Sequence, residues 1–583
     1  METIYYVNAN AADQGAASAQ SCKALVDAIG ADKQVTMVFA RSGAGNTTTY
    51  TFSTDETIPA NINVVIEKGA ILSIASAKTL TINGPLDTGL YQKFSGDGLV
   101  VFGSGAVSGV YPEWWGAKAD NLDASATANG TAITAASTAC SSQHGATGYD
   151  LELVLSTGVY KVTSAAGVYA VTINSNMSGK SAQASVFRQI GLGHTLLFDG
   201  TNNAAEGLEF KNFSVYGNVA GSGNGITTAD DGTTTTTYAR FIGVKSHFNG
   251  GSGLVHIASW GTSYIDCKFN DNIAMGVDLG VVNTNAVTFL LCEARRNGKS
   301  TTDFSALYSG CGVLIRGAAN VNWIGGVVEA NSSWGFMVGD PANTVRPLSV
   351  NISNVYMEDT PRAAGATITG GLIKAFNKWD SLSLSNSILN YGAPAARVGY
   401  GLFVVGDTNN AQTRFNEFNN HYVLANAAGT VYKKNISGFY PGKEQWELRI
   451  SDVYIENATT GAHVKVTLTN RWNGDAAAVQ DDIGKDSVLT GVWKLNGAGT
   501  QLILDATGIA NQLIYPVSAT VHGNLSTVPL DITPGLTGGI GTGLKLDFTI
   551  SATGEAQDIT TLVDTGLFFV RITYLCSSYL NAP

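Results

Sequence analysis

Five short segments set ionisable side chains at recurring places of one eight-residue frame: Ile242 to Asn249, Ile265 to Asn272, Leu290 to Asn297, Ile324 to Asn331 and Ile352 to Asp359. The first, third and fifth places carry mainly apolar or small residues, so the two-residue period of a strand turns the second, fourth and sixth outward on one sheet face. The fourth place supplies Lys245, Lys268, Glu293 and Val327; the sixth supplies His247, Asn270, Arg295, Glu329 and Met357; the second adds Asp266. With parallel strands about 4.8 Å apart and about 6.8 Å per two residues along a strand, Asp266 to Glu293 and Glu293 to Glu329 are each expected about 8 Å apart. Carboxyl groups roughly 6.5–9.5 Å apart leave room for the water of an inverting glycosidase, which needs one carboxyl of raised pKa and one of ordinary pKa. Glu293 and Glu329 are the expected acid/base pair, with Asp266 able to replace either. Lys268, Arg295, His247 and Lys245 would tune them or hold the sugar.

Two other readings use the same strip. Lys268 beside Glu293 and Arg295 beside Glu329 form a ladder of opposite charges, which when solvated contributes ~0–1 kcal/mol per pair and implies no chemistry. β-Elimination from a uronic acid is the second: Lys245, Lys268 and Arg295 would neutralise the sugar carboxylate, and His247 or a tyrosine would take the C5 proton. Trp260, Tyr264, Trp323 and Trp334 flank the repeats, and Trp260 and Trp334 are the candidates for stacking on sugar rings, although aromatic residues at strand ends also serve as core filler. His256 follows an apolar pair and reads as a core histidine; Glu358 and Asp359 suit a turn.

The elements that must position these residues follow from the repeat itself. The frame recurs from 242 to 265, 290, 324 and 352, and Gly253, Gly276, Gly312 and Gly335 each open a short apolar strand after it. Such periods mark a solenoid whose coils bury their apolar faces only by stacking. Cys267 and Cys292 take one place in successive repeats and are expected as stacked core thiols, a disulfide being the alternative. Asn212, Asn354 and Asn386 share the third place, where inward asparagines could stack. The insertion from Lys299 to Gly310 breaks the period, and insertions of this kind gather on one face, often the binding face.

Upstream, Ser21 to Ile29 reads as a short helix stopped by Gly30, followed by alternating apolar residues from Ile62 to Ile82 between glycine-rich corners. Tyr-Pro-Glu-Trp-Trp-Gly-Ala-Lys at 111–118, an Asp-containing loop, a helix over Thr131 to Ser142 and the strand-like run Leu151 to Val162 resemble the entry to the pectate-lyase-like right-handed parallel β-helix domain common in phage tailspikes and their bacterial relatives. The chain departs from that pattern at Ala119, Asp120 and Asn121 and across Ala124 to Gly130. The resemblance spans residues 1–430 and implies a capping helix at the open end of the first coil, a homotrimer, a polysaccharide partner, and residence in a virion tail or outside the cell. The calcium-binding acid cluster of pectate lyases has no counterpart.

The 583 residues carry 14% charged side chains, 68 glycines and a net charge of −11. No basic run exists to neutralise nucleic-acid phosphates, no apolar run reaches the roughly 18 residues of a membrane span, and no cysteine or histidine spacing suggests a metal. No cofactor is expected, and the first residues lack the regions of a signal peptide. The expected architecture is all-β: an N-terminal β-rich cap (1–110), a right-handed parallel β-helix (111–430) and a C-terminal β-sandwich (431–583) built from alternating strands such as Val464 to Thr469 and Phe568 to Tyr574, serving trimerisation or carbohydrate binding. The expected activity is endo-cleavage of a bacterial surface or extracellular polysaccharide, by hydrolysis first and elimination second. A non-catalytic glycan-binding spike is the rival from another class.

Overall fold

A computed structural model describes residues 3–390 apart from interruptions, the longest being 143–150, 299–309 and 359–370, and beyond residue 390 describes only separate strands, the last ending at residue 575. The chain divides into two compact units, residues 1–272 and 273–583.

In the first unit every described ladder is parallel. Its amino-terminal part already has three sides: Thr3–Tyr6, Val35–Phe39, Ile62–Ile66 and Leu86–Asp87 form one sheet, Thr48–Phe52, Ala70–Ile74 and Phe94–Ser95 a second, Glu56–Ile58, Thr79–Ile82 and Leu99–Phe102 a third. Helix α1 (Cys22–Ile29) begins where the Ser21 side chain accepts the amide of Ala24 and stops at Gly30, which takes a positive φ of 69°, the conformation in which glycine meets no Cβ penalty. Helix α2 (Ala126–Ser141) begins five residues earlier than the pattern suggests. Buried Asn129 ties that earlier run to its neighbours: it accepts the Lys118 amide at 2.7 Å and donates to the carbonyls of Lys118 (3.0 Å) and Lys161 (2.9 Å). Gly130 lets α2 lie against the strand Tyr169–Ile173, because a Cβ there would stand 2.6 Å from the Ala170 carbonyl oxygen.

Parallel coils follow. One sheet of the first unit stacks Gly158–Val162, Ser185–Gln189, Ser214–Tyr216, Lys245–His247 and Lys268–Asn270. In the second unit the corresponding ladder is Glu293–Arg295, Val327–Glu329, Tyr356–Glu358, Ile388–Asn390 and His421–Val423, flanked by two more parallel ladders. This three-sided stack is a parallel β-helix. The later strands differ: Ser451–Asn457 pairs antiparallel with Ala462–Val466 and with Phe569–Leu575. The run from Trp446 to Ile450, the insertion from Lys299 to 309 and Asp359 lie outside the described residues.

The eight-residue frame proves to be two strands and not one. Its second place is a corner in left-handed conformation, with φ of 62° at Gly243, 50° at Asp266, 56° at Leu291 and 70° at Gly325. Its seventh place is another, with φ of 55° at Phe248, 59° at Asp271, 53° at Arg296 and 54° at Ala330. The core positions therefore shift. The inward residue of the first strand is the one before the frame, Phe241 and Tyr264 in one unit and Phe289 and Trp323 in the other, all buried. Their rings stack face to face, with centroids 4.8 Å apart for the first pair and 4.6 Å for the second, and burying each ring contributes roughly 1.5–3 kcal/mol. The first place faces outward in part, as Leu290, 37% exposed, shows. Asn212, Asn354 and Asn386 also occupy left-handed corners and are exposed; the expected inward stack of these three is replaced by frame-ending asparagines. Asn272 Oδ1 accepts Asn249 Nδ2 at 2.7 Å, and Asn331 Oδ1 accepts Asn297 Nδ2 at 2.9 Å, all four buried. Cys267 and Cys292 are buried free thiols.

Candidate functional site

In the second unit two rows of side chains face outward from the Glu293–Arg295 ladder. Register places Glu293, Val327, Tyr356 and Ile388 in one row, and Arg295, Glu329, Glu358 and Asn390 in the next. Glu293 and Glu329 thus keep the expected offset of one coil and two residues. Arg295 lies between them: Nη1 is 3.1 Å from Glu293 Oε1, and Nη2 pairs with Glu329 Oε1. The two carboxylate side chains are only 13% and 16% exposed, so this is a partly sheltered cluster and not a freely solvated charge ladder.

The fifth repeat adds residues that the frame misplaces. Trp323 pairs with Ile352, and Ile324 with Ser353, one residue out of step with an alignment of Ile324 on Ile352. A slip of one residue exchanges the faces of a strand. Met357 accordingly points into the core, fully buried, and Glu358 takes the outward position beside Glu329. The Tyr356 hydroxyl donates to Glu358 Oε2 and accepts from Asn390 Nδ2 at 3.2 Å. Its bond to Glu358 raises the phenol pKa, with Asn390 opposing. The inward aromatic row was the signal available in the sequence: aligning Trp323 with Ile352 brings Glu358 out.

In the first unit Lys245 pairs in register with Lys268, and His247 with Asn270. These lie on the face that also carries Tyr216 and Arg188. Asp266 does not share it. The expected outward projection from the same strand fails because Asp266 is the left-handed corner between Ser263–Ile265 and Lys268–Asn270.

The aromatic candidates separate. Trp260 is 48% exposed. Trp334 is 7% exposed and packs with Cys311, Leu314 and Met337, so it fills an apolar cluster and offers no face for sugar stacking. Trp323 and Tyr264 are core residues. His256 is the expected core histidine: buried, with Nδ1 2.8 Å from the Tyr264 hydroxyl, and burial pulls its pKa down to about 3 against a backbone hydrogen bond with Ser259. Trp114 packs against Phe102 and Tyr111 and donates Nε1–H to the Gly89 carbonyl. Among the described residues, no group of three metal-ligating side chains converges, and no helix is long and apolar enough to cross a membrane.

No family model matches the chain, and no curated protein does. Solved structures with a similar course include ORF18 of Geobacillus virus E2 (15% identity, 78% of this chain and 86% of that one, TM-score 0.33). They also include the enzymatically active domain of tailspike protein 2 from bacteriophage CBA120 (10%, 73% and 71%, 0.34). A third is the A-module of mannuronan C-5 epimerase AlgE4 from Azotobacter vinelandii (11%, 54% and 95%, 0.34). At such identities and scores the likeness assigns neither substrate nor reaction to this chain.

Proposed function

We propose that the protein binds a bacterial surface or extracellular polysaccharide along the outer face of its coils and cleaves it internally by hydrolysis. One observation carries the reading: Glu293 and Glu329 are held on adjoining strands, one coil and two residues apart, with a guanidinium between them. In an inverting hydrolysis one carboxylic acid gives its proton to the departing glycosidic oxygen while the other carboxylate takes a proton from the attacking water. Arg295 would swing from the carboxylates to a substrate oxygen, releasing them for that exchange. Asp266 is left out of the pair because of its corner position. The homotrimer and the virion-tail or extracellular setting belong to the same proposal.

A second reading has an observation of its own. Arg295 engages both carboxylates and Tyr356 engages Glu358, an arrangement that also suits a rigid polar platform holding glycan without cutting it. Incubation with a panel of purified capsular polysaccharides separates the readings. New reducing ends without ultraviolet absorbance of an unsaturated uronate support hydrolysis, and the absorbance marks elimination. Binding to a polysaccharide with neither signal marks the platform. Glu293→Gln and Glu329→Gln are each expected to lower turnover by at least 100-fold, on the order of a lost general acid or base, with unchanged thermal unfolding. Near-normal turnover in both would remove the pair from the mechanism.

A further inference from the structure

An acidic chain has little reason to gather cations on one sheet face, yet the first unit does so. On the outer side of the ladder from Gly158–Val162 to Lys268–Asn270, Arg188, Tyr216 and His247 follow one another in register on successive strands, and Lys245 stands directly opposite Lys268 in the parallel row. Two ammonium groups side by side on one face, with a guanidinium on the same face, raise the local positive potential, which draws anions. The aromatic rings beside them are aligned. Tyr216 lies 5.9 Å from Phe248 with the rings 24° from parallel, and 5.7 Å from His247 at 34°; the Arg188 guanidinium carbon is 5.9 Å from the Tyr216 ring centroid.

Phe248 makes the case specific. It occupies the left-handed corner with φ of 55°, where a bulky side chain is a steric outlier and asparagine or glycine fits more readily. The equivalent corners carry Asp271, Arg296 and Ala330, so the fold does not call for a ring. Phe248 remains 36% exposed, so the chain accepts both the strained conformation and the wetted ring.

We infer that this strip, Arg188, Tyr216, Lys245, His247, Phe248 and Lys268, is a binding site for an anionic glycan, a polymer of sugars bearing carboxylate or sulfate. The rings supply flat apolar surface for sugar faces, and the cations supply charge-assisted hydrogen bonds to the acidic groups. The inference rests on the glycan-binding part of the proposal above and narrows it to acidic polymers, whatever the reaction.

The test compares polygalacturonate, polymannuronate, hyaluronate and chondroitin sulfate with their carboxyl-reduced forms, by retardation of the full chain in affinity electrophoresis. At least one acidic polymer should bind at low ionic strength, weaken towards about 0.15 M salt, and exceed its reduced form by tenfold or more. The triple variant Arg188→Gln, Lys245→Gln, Lys268→Gln should lose at least tenfold in affinity. Phe248→Asn should also lose affinity while its melting temperature stays equal or rises, an outcome that a merely structural ring would reverse. Equal binding of reduced and acidic forms, equal binding by the triple variant, or no acidic polymer bound would each overturn the inference. A change of oligomeric state in the triple variant, with glycan affinity intact, would overturn it in favour of a contact between copies. If a neutral polysaccharide is cleaved while the acidic ones are ignored, the hydrolase proposal stands and this inference alone falls.

Discussion

The Tyr356 hydroxyl donates to Glu358 and accepts from Asn390, so it is a phenol ordered at both its proton and its lone pair beside the carboxylate row. In the proposed hydrolase it orients Glu358 next to Glu329 and keeps the row from collapsing when Arg295 turns to the substrate. Tyr356→Phe is expected to leave the fold intact and to lower kcat by about tenfold or more with KM little changed, the pattern of an interaction stronger in the transition state than in the ground state. Steady-state kinetics on a cleaved polysaccharide check this; equal loss in KM would instead make Tyr356 a binding residue. Neither Tyr356 nor Glu358 was legible from the eight-residue frame, because Ile324 and Ile352 look equivalent and are not. The offset of Glu293 and Glu329, one strand across and two residues along, was legible because strand period and register alone fix it.

Among the elements, the corners decide most. Period and alternation revealed stacked strands, but left-handed single residues such as Asp266 and Leu291 carry no glycine to mark them, and the break between strands stayed hidden. The asparagines that end four of the five frames were visible as a pattern, and their work emerges only in three dimensions. Asn331 accepts both the backbone amide and the side-chain Nδ2 of Asn297 and donates to the Ala294 carbonyl at 3.0 Å. Asn331→Ala removes an acceptor from two buried donors, which costs about 1–3 kcal/mol, read as a lower denaturant midpoint at unchanged m-value. A second element-level device was not visible at all: Asp278 and Arg316, 38 residues apart, meet through two hydrogen bonds of 3.0 and 2.7 Å. Burial raises the Asp278 pKa against the pull of Arg316. Arg316→Met is expected to destabilise the second unit by about 3–5 kcal/mol, the cost of leaving a buried charge without its partner, with a value near the lower end because Arg316 is 32% exposed. A loss below about 1 kcal/mol would show that the pair behaves as a surface bridge.

Across the molecule, three cationic groups, Lys93, Lys374 and His256, are folded into surroundings that favour their neutral forms, and they share one direction of pH dependence. Lys93 is buried near the Trp114 ring, its ammonium 3.8 Å from the Tyr91 ring centroid and 3.0 Å from the Tyr91 carbonyl; burial lowers its pKa to about 7, with Glu113 opposing. Burial also lowers the Lys374 pKa in the second unit, and that of His256 to about 3. Each of these groups binds more protons unfolded than folded, so its contribution to stability is complete above the unfolded pKa and is lost as pH falls towards the folded one. For His256 the loss runs from the ordinary value of 6.5 down to about 3; for Lys93 it runs from 10.5 down to about 7. The buried thiols of Cys22 and Cys311, pushed upward by burial, and Tyr160, pushed upward by burial and Glu113, have the opposite sign; the thiols end the climb near pH 9 and Tyr160 opposes it further near pH 10, where an unfolded tyrosine ionises. The chain should therefore melt at rising temperature from pH 5 to pH 9, past the usual maximum between about pH 5 and 8. His256→Gln should flatten the limb below pH 6.5, and Lys93→Met the limb between pH 7 and 10, in calorimetric scans of the full chain. A melting temperature that falls between pH 7 and 9 in the parent chain would show that Lys93 keeps its charge inside the fold, its carbonyl and ring contacts outweighing its burial.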